Sequence, residues 1–117
     1  MRDCIFIKNL TCQAIIGVLP EERTSKQTLN IDLDIETDTS RAALTADLAL
    51  SVDYAKVARE VEELAVDAEA YLLETLAEDI AKYVLANKNA HAVTVSLDKP
   101  SAVSSTDTVG VRIYRER

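Results

Sequence analysis

Four stretches of the chain carry side chains whose types could support acid–base chemistry or hold a polar ring. Ile16-Gly17-Val18-Leu19-Pro20-Glu21-Glu22-Arg23 supplies carboxylates, which accept hydrogen bonds from hydroxyl groups. Ser51-Val52-Asp53-Tyr54 supplies a phenol beside two oxygen-bearing side chains. Leu72-Leu73-Glu74-Thr75-Leu76 supplies one glutamate, about 100° round a helix from the apolar Leu73. Asp98-Lys99-Pro100-Ser101-Ala102-Val103 supplies an amine that serves as a base only where desolvation or nearby charge loosens its proton. Each stretch also has an ordinary explanation. The acidic one reads as a solvated turn, Ser51 or Asp53 as a helix cap, and Tyr54 as a packing residue with a polar tip. Glu74 reads as a charge complementing a helix start, and Lys99 as a surface charge. No P-loop, dinucleotide fingerprint, nucleophile elbow or metal-ligand spacing is present. Any chemistry must therefore come from scattered residues that the fold gathers.

Hydrophobic periodicity delimits the elements that would do the gathering. Cys4 to Val18 is β-like, with Ile5, Ile7, Ala14, Ile15 and Ile16, and Gly17 breaks it. Leu19 to Lys26 is polar, contains Pro20, and predicts a loop. Gln27 to Asp38 alternates strictly, Leu29, Ile31, Leu33 and Ile35 against Asn30, Asp32, Asp34 and Glu36, which predicts a half-buried antiparallel strand. Asp53 to Ala68 carries Val57, Val61, Leu64, Ala65 and Ala68 at helical steps. A second helix carries Leu73, Leu76, Ala77, Ile80 and Val84, and the link near Glu69 to Tyr71 has no glycine or proline to mark it. Val93, Val95 and Leu97, and after a turn from Lys99 to Thr106, Val109, Val111 and Ile113, predict two more half-buried strands. The order β-β-α-α-β-β predicts an α+β fold: a four-stranded antiparallel sheet with two helices on one face.

At 117 residues the chain has room for one domain, residues 1–117, and not comfortably two. A domain of this size buries only about two-thirds of its unfolded surface, and open sheet edges invite association. The net charge of −7 argues against a nucleic-acid binder, which needs a basic stripe to neutralise phosphates. Cys4 and Cys12 are spaced too far along one strand to bridge, and with His91 as the lone histidine they form no zinc set. They read as free thiols. MRDCIFIKNL lacks the pattern of a secretory signal, and no apolar run approaches membrane length. The expected location is the cytoplasm, without membrane or nucleic-acid partners.

In order, IIGVLPEER, SVDYAKV, LLETLAEDIA and LDKPSAV, followed by TVGVRIYRER, resemble the dihydroneopterin aldolase family, whose members adopt the tunnelling fold. The likeness runs from near Ile5 to the C-terminus and rests on four segments at suitable spacing, none of them diagnostic alone. It implies an aldolase of folate biosynthesis that cleaves dihydroneopterin to hydroxymethyl-dihydropterin and glycolaldehyde, with neither metal nor other cofactor. By the same resemblance Glu74 anchors the pterin ring, Tyr54 faces the ring and moves protons, and Lys99 organises the base chemistry. Glu22 contacts the trihydroxypropyl chain, while Leu73, Val52 and Asp53 line the pocket. Catalysis would thus fall to Lys99, Tyr54 and Glu22. The resemblance further implies an octamer of two stacked tetrameric rings. Tyr54 would reach the pocket of a neighbouring chain, and Glu22, Glu74 and Lys99 would come from one chain. Two positions depart from the family: many relatives carry histidine where Asp53 stands, and Pro20 changes the loop that presents Glu22. The resemblance also implies epimerisation of the side chain as a companion activity. The rival readings are dihydroneopterin triphosphate epimerase, which shares the fold and the same polar residues, and a pterin-binding subunit without activity. Arg23 and Lys26 are the only cations near the pocket segments to meet a triphosphate.

Overall fold

The alternation that marks the strands also sets the sheet. The computed structural model describes residues 3–117. Four strands, β1 (Asp3–Ala14), β2 (Gln27–Thr37), β3 (Ala92–Lys99) and β4 (Val109–Glu116), form one antiparallel sheet in the order β1-β2-β3-β4. Four helices interrupt them: α1 (Pro20–Thr24), α2 (Ser40–Thr45), α3 (Tyr54–Ala68) and α4 (Leu73–Leu85), with a single 3₁₀ turn at Leu48–Leu50. The long helices share one face of the sheet, α3 on β1 and α4 on β3 and β4. The core lies between, built from Leu29, Ile31, Leu33 and Ile35 of β2, Val93, Val95 and Leu97 of β3, and the apolar stripes of α3 and α4. The architecture is the expected α+β arrangement. Its opposite face carries Asp32, Asp34, Thr94 and Ser96, all partly open to water.

Paired residues in an antiparallel ladder share a face. The odd-numbered residues of β2 and β3 therefore make one buried row each, and Lys99 is the next odd place after Leu97. In β1 the parity changes midway. Ile7 pairs with Leu33 but Leu10 pairs with Ile31, so one extra residue bulges out, with Asn9 at φ 55° and its amide donating 2.6 Å to Asp32 Oδ1. The bulge turns Cys12 and Ala14 into the core, although Cys4, at the same parity, faces out.

Several boundaries differ from expectation. β1 stops at Ala14 rather than running to Val18, and β2 stops at Thr37. The stretch expected as a loop holds α1, because Pro20 at the first helical position loses no needed hydrogen bond and Glu21 and Glu22 complement the helix start. Asp53 lies outside α3 as its cap, accepting from the Lys56 amide at 3.2 Å. The break between α3 and α4 uses Glu69 in the left-handed region, φ 44°, where glycine is the usual choice.

Candidate active site

Lys99 ends β3 on the core-facing row, so its stem leaves the apolar interior and its ammonium emerges where α1 hangs beside the strand. It meets Glu22, with Nζ donating to Oε2 at 2.9 Å. Both side chains are largely shielded, at 13% and 15% exposure. Lys99 is thus not the surface charge that its place before Pro100 taken alone would indicate. The Glu22 carboxylate gathers two further donors, Gln27 Nε2 at 3.0 Å on Oε2 and the Leu19 amide at 3.2 Å on Oε1. These contacts, the Gln27 hydrogen bond first and the Lys99 one next, outweigh burial and hold its pKa down to about 2. A fixed carboxylate and an ammonium in contact provide a proton acceptor and a proton donor side by side.

The backbone makes room for this pair at Gly17. Its φ of +131° suits glycine, and a Cβ there would stand 2.2 Å from the Glu22 carboxyl group. Gln27 ties the loop to itself, since its Nε2 also donates to Ile16 O at 2.7 Å. Arg23 ties it to the helical layer. Its Nη1 donates to Gly17 O at 3.0 Å and Ala70 O at 3.1 Å, and its Nη2 donates to Glu69 O at 2.8 Å. The guanidinium also lies 3.9 Å over the Tyr71 ring.

Two residues beyond Tyr71, α4 opens with Leu73, packed into the core, and Glu74, exposed in the first turn. Among the described residues Glu74 has no hydrogen-bond or ion-pair partner. Val52 is buried behind Asp53, and Tyr54 is 63% exposed at the start of α3. The 15 residues of α3 span about 22 Å. Tyr54, Asp53 and Val52 therefore sit at the end of α3 opposite the one that Arg23 grips. The chain brings Glu22 and Lys99 into contact and braces them near Leu73 and Glu74, but keeps Tyr54 apart. A cavity of about 390 Å³ lies between α3 and α4, with Asp53, Glu60 and Tyr83 among its walls.

Comparison with known proteins decides the family. The model of the dihydroneopterin aldolase family matches residues 5–114. The chain belongs to the dihydroneopterin aldolase family. It is similar to dihydroneopterin aldolase of Streptomyces coelicolor, 37% identical over 117 residues and covering 98% of each chain. Among solved structures it is similar to Escherichia coli dihydroneopterin aldolase in complex with neopterin, at 36% identity and TM-score 0.91, covering 97% of this chain and 98% of that one. A dihydroneopterin aldolase from a Burkholderia species bound to guanine is similar at 26% identity and TM-score 0.84, covering 99% of this chain and 92% of that one.

Within this dihydroneopterin aldolase frame, residue patterns alone pass over two side chains. Gln27 opens a strand whose alternation draws attention to its apolar partners, and Arg23 draws notice only as a cation that could meet a triphosphate, not as a support of the site. Both act on carbonyls remote in sequence, Ile16 for Gln27 and Glu69 and Ala70 for Arg23. The one local clue is the missing helix-stop residue at Glu69, which needs help from elsewhere. No helix among the described residues is long and apolar enough to cross a membrane.

Proposed function

We propose that this chain, a single domain over its length, cleaves dihydroneopterin by a retro-aldol reaction. The observation that carries the reading is the shielded Glu22–Lys99 pair, assembled from residues 77 apart in a chain of this family. The substrate's ring C=N lies next to the side chain. Removing the proton of the second side-chain hydroxyl lets the bond between the first and second side-chain carbons break. The released pair enters the ring imine as an enamine, the ring nitrogen gains a proton, and glycolaldehyde leaves. Protonation of the exocyclic carbon, with loss of the proton gained by the ring nitrogen, restores the ring C=N and gives hydroxymethyl-dihydropterin. Lys99 with Glu22 manages the hydroxyl proton, and Tyr54 serves the ring side. Readdition of the enamine to the opposite face of the glycolaldehyde carbonyl would epimerise the side chain at its second carbon.

Glu74 holds the pterin edge, because a carboxylate accepts two parallel N–H bonds from a 2-amino-pyrimidinone. Its lack of a hydrogen-bond or ion-pair partner among the described residues supports that role. Neopterin and guanine, bound by the related Escherichia coli and Burkholderia proteins, share this edge. Leu73, Val52 and Asp53 complete the walls. The distance of Tyr54 from Lys99 along α3, together with the open edges of β1 and β4, supports pockets shared between subunits. An octamer of two stacked rings in the cytoplasm fits this reading.

The triphosphate epimerase reading is disfavoured by one observation. Arg23 is committed to three carbonyls and the Tyr71 ring, which leaves Lys26 as the exposed cation of its loop. Incubation with dihydroneopterin and with its triphosphate, followed by chromatography, tests the proposal. Glycolaldehyde from the unphosphorylated substrate supports it. Turnover of the triphosphate alone, or of neither, refutes it.

A further inference from the structure

The turn between α3 and α4 has no local reason to stop a helix. It contains neither glycine nor proline, and Glu69 is held in a left-handed conformation that side chains with a Cβ seldom adopt. The carbonyls exposed by that break need donors. Ala70 O receives the Gly17 amide at 3.1 Å as well as Arg23 Nη1, and Glu69 O receives Arg23 Nη2. The enforcing group thus comes from α1, and it neighbours Glu22.

We propose that Arg23 is a positioning residue, a brace that fixes the Glu22–Lys99 pair relative to the α4 start bearing Leu73 and Glu74. The brace has two ends. One hydrogen of Nη1 holds Gly17 O, at the residue whose missing Cβ admits the Glu22 carboxylate, and the other holds Ala70 O. Stacking on Tyr71 keeps the guanidinium plane in place. Glu22 and Glu74 therefore belong to two separate pieces of chain joined through this planar fork and the Gly17 amide bond to Ala70 O. This inference rests on the aldolase reading for its chemistry. One half of the site would grip the ring and the other the polyol chain, so the brace sets where the reacting hydroxyl falls relative to the ring. A misplacement of about 1 Å costs on the order of 10²-fold in rate.

The test uses Arg23→Ala and Arg23→Lys in the assembled protein. In Arg23→Ala, kcat on dihydroneopterin should fall by about 10²-fold. Pterin lacking a side chain should bind as it does to the unaltered protein, while the extra affinity of neopterin over pterin should shrink. Amide exchange should quicken at Gly17 and from Glu69 to Leu73. Arg23→Lys, which can still reach the carbonyls but lacks the fork and the flat stacking face, should recover part of each loss. Unchanged kcat with unchanged exchange overturns the proposal. So does an equal loss of pterin and neopterin binding that tracks the unfolded fraction in a thermal scan, since that is the signature of general destabilisation. If the unaltered protein does not cleave dihydroneopterin, the aldolase reading falls, and exchange together with the two affinities still judges the brace.

Discussion

Replacing Glu22 with glutamine separates the charge of this carboxylate from its shape. Three donors converge on it, from Gln27, Lys99 and Leu19, and its pKa drops from 4.5 to about 2. A depressed carboxylate contributes stability that is complete above pH 4.5 and disappears as pH falls toward 2. A drop of this size corresponds to about 3 kcal/mol as an upper figure. The 15% exposure of the side chain leaves some solvent screening, so about 2 kcal/mol is expected. Glu22→Gln does not titrate and leaves the Lys99 ammonium shielded without its partner. The gap between the two proteins should therefore be about 2 kcal/mol near neutral pH and narrow steadily below pH 4.5. Urea midpoints measured between pH 7 and pH 2.5 at two protein concentrations would follow it. Exposed carboxylates such as Asp3 and Asp38 titrate in both proteins and cancel in the difference. A gap that stays constant across the acid range, or no gap at neutral pH, would refute the claim that this carboxylate is held ionised by its neighbours.

Glu74→Gln should weaken pterin binding by about 2–5 kcal/mol in calorimetry while moving thermal stability little, because Glu74 is exposed and has no hydrogen-bond or ion-pair partner among the described residues. Lys99→Ala should lower turnover of bound substrate by about 10²–10⁴-fold in single-turnover kinetics, with a much smaller change in pterin affinity. Gly17→Ala should reduce both stability and activity, since its Cβ collides with the Glu22 carboxylate and its φ is unfavourable to alanine; denaturation and product chromatography would show both. Tyr54→Phe and Lys99→Ala subunits, refolded together, should exceed the summed activity of the separate variants, and activity at that sum in mixed oligomers seen by mass spectrometry would place each pocket within one chain.

Much of the fold is legible because burial and period coincide. Leu29, Ile31, Leu33 and Ile35 alternate and are all buried. Val57, Val61 and Ala65, and Leu76, Ile80 and Val84, keep helical steps and are buried too. Where a local rule meets a competing one, the sequence misleads. Pro20 with three polar neighbours resembles a turn yet starts α1. The β1 bulge reverses parity between Ile7 and Leu10, which no window of alternation anticipates. The segment of α2 and the 3₁₀ turn has no buried residue in either element and so no stripe to find. The site divides in the same way. Glu22 and Lys99 stand out once the four segments are set side by side, and the structure joins them. The supports from Gln27 and Arg23 are hidden, because side-chain bonds to distant carbonyls leave no periodic trace.

The odd-numbered row of β3 has a consequence for how the protein can change over time. Val93, Val95 and Leu97 fill the interior, and Lys99 takes its aim from them. Deleting one residue between Val93 and Leu97 would swing Lys99 to the opposite face, and in the same stroke would drive polar side chains into the core. Such a chain would be lost to misfolding before its chemistry was ever tried. Selection for a soluble, protease-resistant product therefore guards the direction of the lysine at no extra cost. Drift is left free instead in the hairpin from Ser101 to Thr108, whose residues are all exposed and take no part in the core.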